Sequence, residues 1–325
     1  MDAHYIGIDV SKDRLDVHAH PSGEAFAVAR NGEGLAQLVV RLQALSPVLI
    51  AVEATSGFET VVAASLAAAG LPVVVVNPAQ VRHYAQALGK RAKTDPIDAA
   101  VIARFVEATQ PEVRVLPDEA TQLLADLVAR RRQIVEMMAA EGQRERRAAK
   151  RLQKSIARLR KALEKELAEL DAEIDDQVRG SPVWAEKEDL LASASRRRAT
   201  SVFNCASVPG VGSIIARTLI AEMPELGTLD RRQIAALAGL APWTRQSGQW
   251  KGKSFIGGGR KTVRSLLFVG AMVAARHNPA LKRFRDKLVA AGKSKRLALV
   301  AVARKLLTIL NAILRDRKPW RAEIA

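Results

Sequence analysis

The chain has 325 residues and a mass of 35.2 kDa, and 48% of it is hydrophobic, enough for two or three domains with packed cores. Lys and Arg number 51 against 34 Asp and Glu, a net charge of +17, which points to a polyanionic partner. A single cysteine, Cys205, excludes a disulfide scaffold and a Cys-based zinc site. Charges at Asp2, Asp9 and Lys12 leave no visible signal peptide. The uncharged stretch 60–81 is broken by Gly70-Leu71-Pro72, so it reads as helix, turn and strand in a soluble core, not as a membrane span. The expected compartment is a reducing cytoplasm.

The charge is unevenly distributed. Residues 1–117 hold 10 basic and 12 acidic side chains, residues 118–176 hold 13 of each, and residues 177–325 hold 28 and 9. The basic excess therefore belongs to the C-terminal part and suits contact with nucleic acid.

Residues 1–115 read as an α/β domain. Tyr5–Val10 and Arg14–Ala19 predict a hairpin, with a third strand at Ala25–Ala29. Leu35, Leu38, Val39 and Leu42 recur at helical spacing. Val48–Val52 predicts a strand ending in Glu53, Phe58–Ala69 a helix and Val73–Val76 a strand, and Asn77-Pro78 opens another helix. Strands alternating with helices imply a mainly parallel sheet after an antiparallel hairpin. Asp9 and Glu53 each follow an apolar strand, where side chains project from the sheet edge. Asp95 and Asp98, at i and i+3, share a helix face. Four such acids could hold two divalent metal ions on a phosphodiester. Asp95 before Pro96 reads equally as an N-cap, with Asp98 suiting the helix dipole.

Residues 116–180 form the middle. Leu152, Ile156, Leu159, Leu163, Leu167, Leu170, Ile174 and Val178 make one apolar stripe along a helix. Its spacing fits an antiparallel hairpin or bundle as well as a two-stranded coil. Arg144–Lys161 carries nine basic residues and one acid, and Ala162–Asp176 seven acids and one lysine. We read this segment as a self-association arm, the acidic half pairing with a basic half of a second copy, although a solvated face has the same pattern.

Residues 181–325 predict a mainly helical basic domain. Pro209-Gly210-Val211-Gly212 resembles the turn of a helix-hairpin-helix element, where Gly210 and Gly212 would let backbone N–H groups reach a phosphate. An ordinary interhelical turn has the same pattern. Between predicted helices Arg232–Leu240 and Thr262–Ala275 lies a glycine-rich loop with five cations, Arg245, Lys251, Lys253, Arg260 and Lys261, and no acid. With Arg264 beyond it, these are the candidate nucleic-acid contacts. Ser247 before Gly248 is a candidate nucleophile, and Trp243 and Trp250 could stack bases or anchor the loop. The stretch from Arg276 to Arg317 reads as helical and suited to phosphate tracking.

The ordered set Gly7-Ile8-Asp9-Val10-Ser11-Lys12, Val52-Glu53-Ala54-Thr55, Lys93-Thr94-Asp95-Pro96-Ile97-Asp98-Ala99, Pro209-Gly210-Val211-Gly212 and Gly239-Leu240-Ala241-Pro242, followed by Arg245-Gln246-Ser247-Gly248 and Gly257-Gly258-Gly259-Arg260, resembles the DEDD transposases of the insertion-sequence one-ten family. That group includes pilin-gene DNA invertases. The resemblance covers residues 4–320. It implies an RNase H-like, RuvC-type domain over 1–115, with Asp9, Glu53, Asp95 and Asp98 as a tetrad binding Mg2+, two ions per site. It further implies a coiled-coil assembly arm over 116–180 and a transposase domain over 181–325 with Ser247 as nucleophile. The implied activity is recombination of DNA through a covalent phosphoserine link, guided by a structured noncoding RNA, by a homo-oligomer (dimer or tetramer) without a membrane role. A RuvC-like junction nuclease using water, a sugar kinase or actin-like ATPase, and a purely architectural nucleic-acid-binding protein are the rival classes. The basic C-terminal domain does not fit the kinase.

Overall fold

The computed structural model describes residues 3–55, 57–89, 95–113, 118–191, 209–244 and 246–318; the side chains of residues 95–97, 250 and 251 lie outside that description. The chain divides into two compact units, Met1–Pro117 and Asp118–Ala325.

The first unit is α/β. Its elements are β1 (Tyr5–Val10), β2 (Arg14–His20), β3 (Ala25–Ala29), α1 (Gly32–Leu45), β4 (Leu49–Glu53), α2 (Phe58–Ala68), β5 (Val73–Val76), α3 (Pro78–Ala87) and α4 (Asp95–Thr109). The sheet order is β3-β2-β1-β4-β5. β1, β2 and β3 pair antiparallel, whereas β1, β4 and β5 pair parallel. Local chemistry sets the helix starts. Asn31 caps α1 by accepting from the Gly34 N–H at 2.8 Å, and Asn77 caps α3 with Pro78 at its first position.

Strand alternation gives the sheet two buried faces. Ile6, Ile8, Val10, Leu15, Val17, Ile50 and Val52 pack against Leu38 and Leu42 of α1 and Val62 and Leu66 of α2. Tyr5, Leu49, Ala51, Val74 and Val76 face Val101, Ile102, Phe105 and Val106 of α4. Gly7 lies on this second face. A β-carbon there would meet the Ala99 carbonyl oxygen at 2.1 Å and the Ala103 nitrogen at 2.4 Å. Only glycine lets α4 approach β1 so closely.

The second unit is mainly helical. It holds α5 (Glu119–Arg147), α6 (Lys150–Gly180), α7 (Pro182–Leu191), α8 (Ser213–Glu222) and α9 (Arg231–Leu237). Four two-residue strands follow: β6 (Pro242–Trp243), β7 (Gln246–Ser247), β8 (Trp250–Lys251) and β9 (Phe255–Ile256). The last helices are α10 (Lys261–His277), α11 (Pro279–Ala290) and α12 (Lys295–Asp316). α5 and α6 form an antiparallel hairpin, tied by ion pairs Arg131–Asp171 (2.6 Å) and Arg160–Glu145. Of the predicted apolar stripe, Leu170, Ile174 and Val178 are buried in the core of this unit, beside Ile215 and Leu219 of α8. Leu152 and Leu159, nearer the hairpin tip, stay about half exposed (51% and 47%).

Part of the acidic half of α6 finds partners inside the chain. Arg217 of α8 bridges Asp175 of α6 and Glu188 of α7, the latter at 2.7 Å. Asp175 also pairs with Arg179. Burial works to lower the Arg217 pKa, but its hydrogen bonds to Glu188 and Asp175 hold it above its ordinary value. α12 is long and apolar enough to cross a membrane, and here it is the core helix of the unit, with Val302, Leu306, Leu307 and Leu310 fully buried. The Asn311 side chain accepts from the Gly227 N–H and donates to the Leu229 carbonyl, both at 2.8 Å.

Candidate active site

Two groups of predicted residues can be traced, one in each unit. The first is acidic. Ile8 on β1 is in register with Val52 on β4, so Asp9 and Glu53 follow at neighbouring C-terminal strand ends. Both share the alternation of Gly7 and Ala51, the face covered by α4. Asp98 immediately precedes Ala99, whose carbonyl oxygen sits against Gly7. Backbone register and close helix packing thus bring Asp9, Glu53 and the first turn of α4 to one edge of the sheet. Asp95 begins α4, and its side chain lies outside the described residues, as do Lys93 and Thr94. Among the described residues no three His, Cys, Asp or Glu side chains are grouped closely enough to hold an ion. As a donor set, carboxylate oxygens at an open sheet edge suit a hard divalent cation.

The sequence reading missed a further acid. Asp16 on β2 is the direct cross-strand partner of Asp9 and is almost fully buried (4% exposed). Its Oδ1 accepts from the Arg14 guanidinium at 2.6 and 3.2 Å. The signal was the parity of the hairpin: once Asp9 faces α4, the residue opposite it must too.

The second group surrounds Ser247. The predicted glycine-rich loop is instead a two-stranded ribbon. Pro242 pairs with Ile256 and Trp243 with Phe255 near its root, and Gln246 with Lys251 and Ser247 with Trp250 at its tip. Gly248 turns the tip with φ +55°. An isolated ribbon is marginal in water, and this one is secured at its root. Neither Gly239 nor Gly259 has room for a side chain: a β-carbon on Gly259 would lie 2.4 Å from the Gly239 nitrogen, and one on Gly239 would lie 2.2 Å from the Gly258 carbonyl oxygen. The Arg260 N–H donates to the Leu237 carbonyl at 2.8 Å. The Trp243 and Phe255 rings stack, centroids 6.3 Å apart and 18° from parallel. Ser247 is exposed, and its hydroxyl has no hydrogen-bond partner among the described residues. The Ser254 hydroxyl, by contrast, pairs with the Thr244 hydroxyl at 3.2 Å.

The predicted phosphate contacts separate by role. Arg260 is held bidentately by Glu225 at 2.6 and 2.7 Å, and Arg264 donates to the Gly258 carbonyl. Both brace the root of the ribbon. Lys253 and Lys261 are exposed, and Arg245 and the Lys251 side chain lie outside the described residues. Gly210 has φ +102° and abuts α10, so its need for glycine is met by packing. Gly212 caps α8 with open space around it.

A family model described as a transposase, that of the IS110 DEDD enzymes, matches residues 6–169. A second, described as transposase of the IS116/IS110/IS902 family, matches residues 204–286. The chain is 27% identical over 334 residues to the pilin gene-inverting protein of Moraxella bovis, covering all of this chain and 99% of that one. It is 33% identical over 128 residues to the uncharacterized 43.6 kDa protein of insertion element IS110 from Streptomyces coelicolor, covering 37% of this chain and 31% of the other. An α/β unit with acids at a sheet edge, joined to a basic helical unit, is here an enzyme that recombines DNA. The chain belongs to the IS110 family of DEDD transposases. Enzymes of the DEDD type generally use divalent metal ions.

Proposed function

We propose that the chain is a Mg2+-dependent transposase that cuts and rejoins DNA through a phosphoserine intermediate, with Ser247 as nucleophile. The observation that carries this reading is the exposed Ser247 hydroxyl, which has no hydrogen-bond partner among the described residues, at the tip of a braced ribbon in the basic unit. Asp9, Glu53, Asp95 and Asp98 would hold two Mg2+ ions in an RNase H-like domain, a reading supported by the mixed sheet and by the acids at the C-terminal ends of β1 and β4. Bound Mg2+ would supply positive charge to a phosphodiester under attack.

The covalent step conserves atoms and bonds. The Ser247 Oγ–P bond forms as the P–O bond to the leaving deoxyribose oxygen breaks, and the serine proton ends on that oxygen. The reverse attack by a deoxyribose hydroxyl restores a phosphodiester, so joining needs no external energy source. Lys253 and Lys261 are exposed cations for the phosphate backbone, with Arg245 and Lys251 as further candidates. A structured noncoding RNA is the proposed guide. It is tested by sequencing nucleic acid that co-purifies with the chain.

The deciding assay incubates the protein with Mg2+, RNA and labelled DNA, then denatures it. Wild type and Ser254→Ala are expected to show a protein-linked DNA band, and Ser247→Ala none. Cleavage by Ser247→Ala at the wild-type rate would overturn the serine mechanism and favour a nuclease that uses water.

A further inference from the structure

Beyond the ribbon, a strongly basic surface of the second unit is the tip of the α5–α6 hairpin. Between Arg144 and Lys161 there are nine cations and one acid, Glu145. Arg144 is taken up by Glu141 and Arg160 by Glu145. The other seven, Arg146, Arg147, Lys150, Arg151, Lys154, Arg158 and Lys161, are exposed and carry no ion pair among the described residues. At 100° per residue, the five of these that lie on α6 occupy an arc of about 100°. Leu152, Ile156, Leu159 and Leu163 fall on the opposite side of the helix. Lys150, Lys154, Arg158 and Lys161 make a row about 16 Å long, with neighbours about 6 Å apart or less.

A row of unpaired like charges repels itself unless an anion covers it. A second copy of α6 is a poor cover. Between Ala162 and Asp176, Glu164, Glu169, Asp171 and Asp175 already pair with Arg160, Lys165, Arg131 and Arg217 of the same chain. That leaves Glu166, Glu173 and Asp176 without an ion pair among the described residues, too few for seven cations. Duplex DNA, with a phosphate charge about every 1.7 Å of its axis, is dense enough. We propose that the hairpin tip is a DNA-docking surface, on which this row tracks the phosphate backbone of a duplex. The proposal rests on the recombinase reading, because the partner is the enzyme's own DNA.

The test measures affinity of the full chain for a duplex across a range of NaCl concentrations. The variant combines Lys150→Gln, Lys154→Gln, Arg158→Gln and Lys161→Gln, all exposed helix positions that glutamine tolerates. Its slope of log K against log salt should be shallower by about 0.9 per lost phosphate contact, up to about 3.6, and its affinity at 0.15 M salt lower by at least about tenfold. A control combining Glu166→Gln, Glu173→Gln and Asp176→Asn should bind DNA at least as tightly as wild type. An unchanged slope and affinity in the lysine–arginine variant would overturn the docking surface. So would lost affinity for a hairpin RNA alone. So would a drop in molar mass by light scattering in both variants, which would identify a second copy as the occupant. Failure of the wild-type chain to bind duplex DNA at all would overturn the recombinase reading itself, and is distinguishable because it appears without any substitution.

Discussion

Gly210 and Gly270 meet backbone to backbone. A β-carbon on Gly210 would lie 2.5 Å from the Gly270 carbonyl oxygen, and one on Gly270 would lie 2.9 Å from that of Gly210. This contact seats the turn before α8 on the middle of α10. Gly210→Ala must move a helix and also holds alanine at φ +102°. The expected loss is about 3 kcal/mol in urea unfolding, from overpacking and backbone strain together. Gly212→Ala, with open space and φ −95°, should lose less than about 1 kcal/mol.

The same logic applies to Gly7 in the first unit. Gly7→Ala would drive α4 off β1, carrying Asp98 away from Asp9 and Glu53. Strand exchange should fall at least about a hundredfold with a loss of thermal stability. Normal activity in a stable Gly7→Ala protein would mean that the position of α4 does not matter to the chemistry.

Glu53→Gln and Asp98→Asn keep shape and remove charge. Each should lower Mg2+-dependent strand exchange at least about a hundredfold while the circular dichroism spectrum stays as in wild type. Full activity in both would assign these acids to capping and packing alone.

Arg217→Met tests the bridge between α6, α7 and α8. It strands Asp175 and Glu188 without their shared cation. We expect a loss of about 3 kcal/mol, read from urea unfolding. Replacing all three residues by apolar ones should recover part of it.

Asp230 caps α9, and its hydrogen bonds from the Gln233 and Arg232 backbone N–H groups hold its carboxyl below the ordinary aspartate range. The folded pKa lies under the unfolded one, so the unfolded chain binds the proton more readily. The stability from this cap is complete above the unfolded pKa and fades as pH falls through the folded value. An asparagine in its place would cap without titrating. The urea midpoint of wild type should therefore fall relative to Asp230→Asn as pH drops below about 4. A constant difference from pH 7 to pH 3 would contradict this.

Much of the first unit was legible because its signals are local. An apolar run marks β1, alternation marks β2, and Asn77-Pro78 starts its helix where it stands in the sequence. The α6 stripe was legible for the same reason, since periodicity needs no partner. The ribbon around Ser247 was not, because strands of two residues have no period to detect. Predicted helix Arg232–Leu240 ends earlier, at Leu237, where Gly239 at φ +67° turns toward the ribbon. Arg260 read as a free cation because its partner, Glu225, is 35 residues away. Asp16 needed a strand register that no spacing in one strand supplies.

Among the described residues, the ribbon's fixings lie outside the stretch from Thr244 to Ser254: the close packing at Gly239 and Gly259, Arg260 on Glu225, Arg264 on Gly258 and the Trp243–Phe255 stack. Among the described residues of the tip, Gln246, Ser247, Gly248 and Gln249 are exposed. Its chemistry can therefore change across generations without endangering the fold. Lengthening the turn at Gly248-Gln249 would alter how far the hydroxyl reaches while the helices beneath remain as they are. On the proposed role of Ser247, this turn would be a place where selection and stability do not compete.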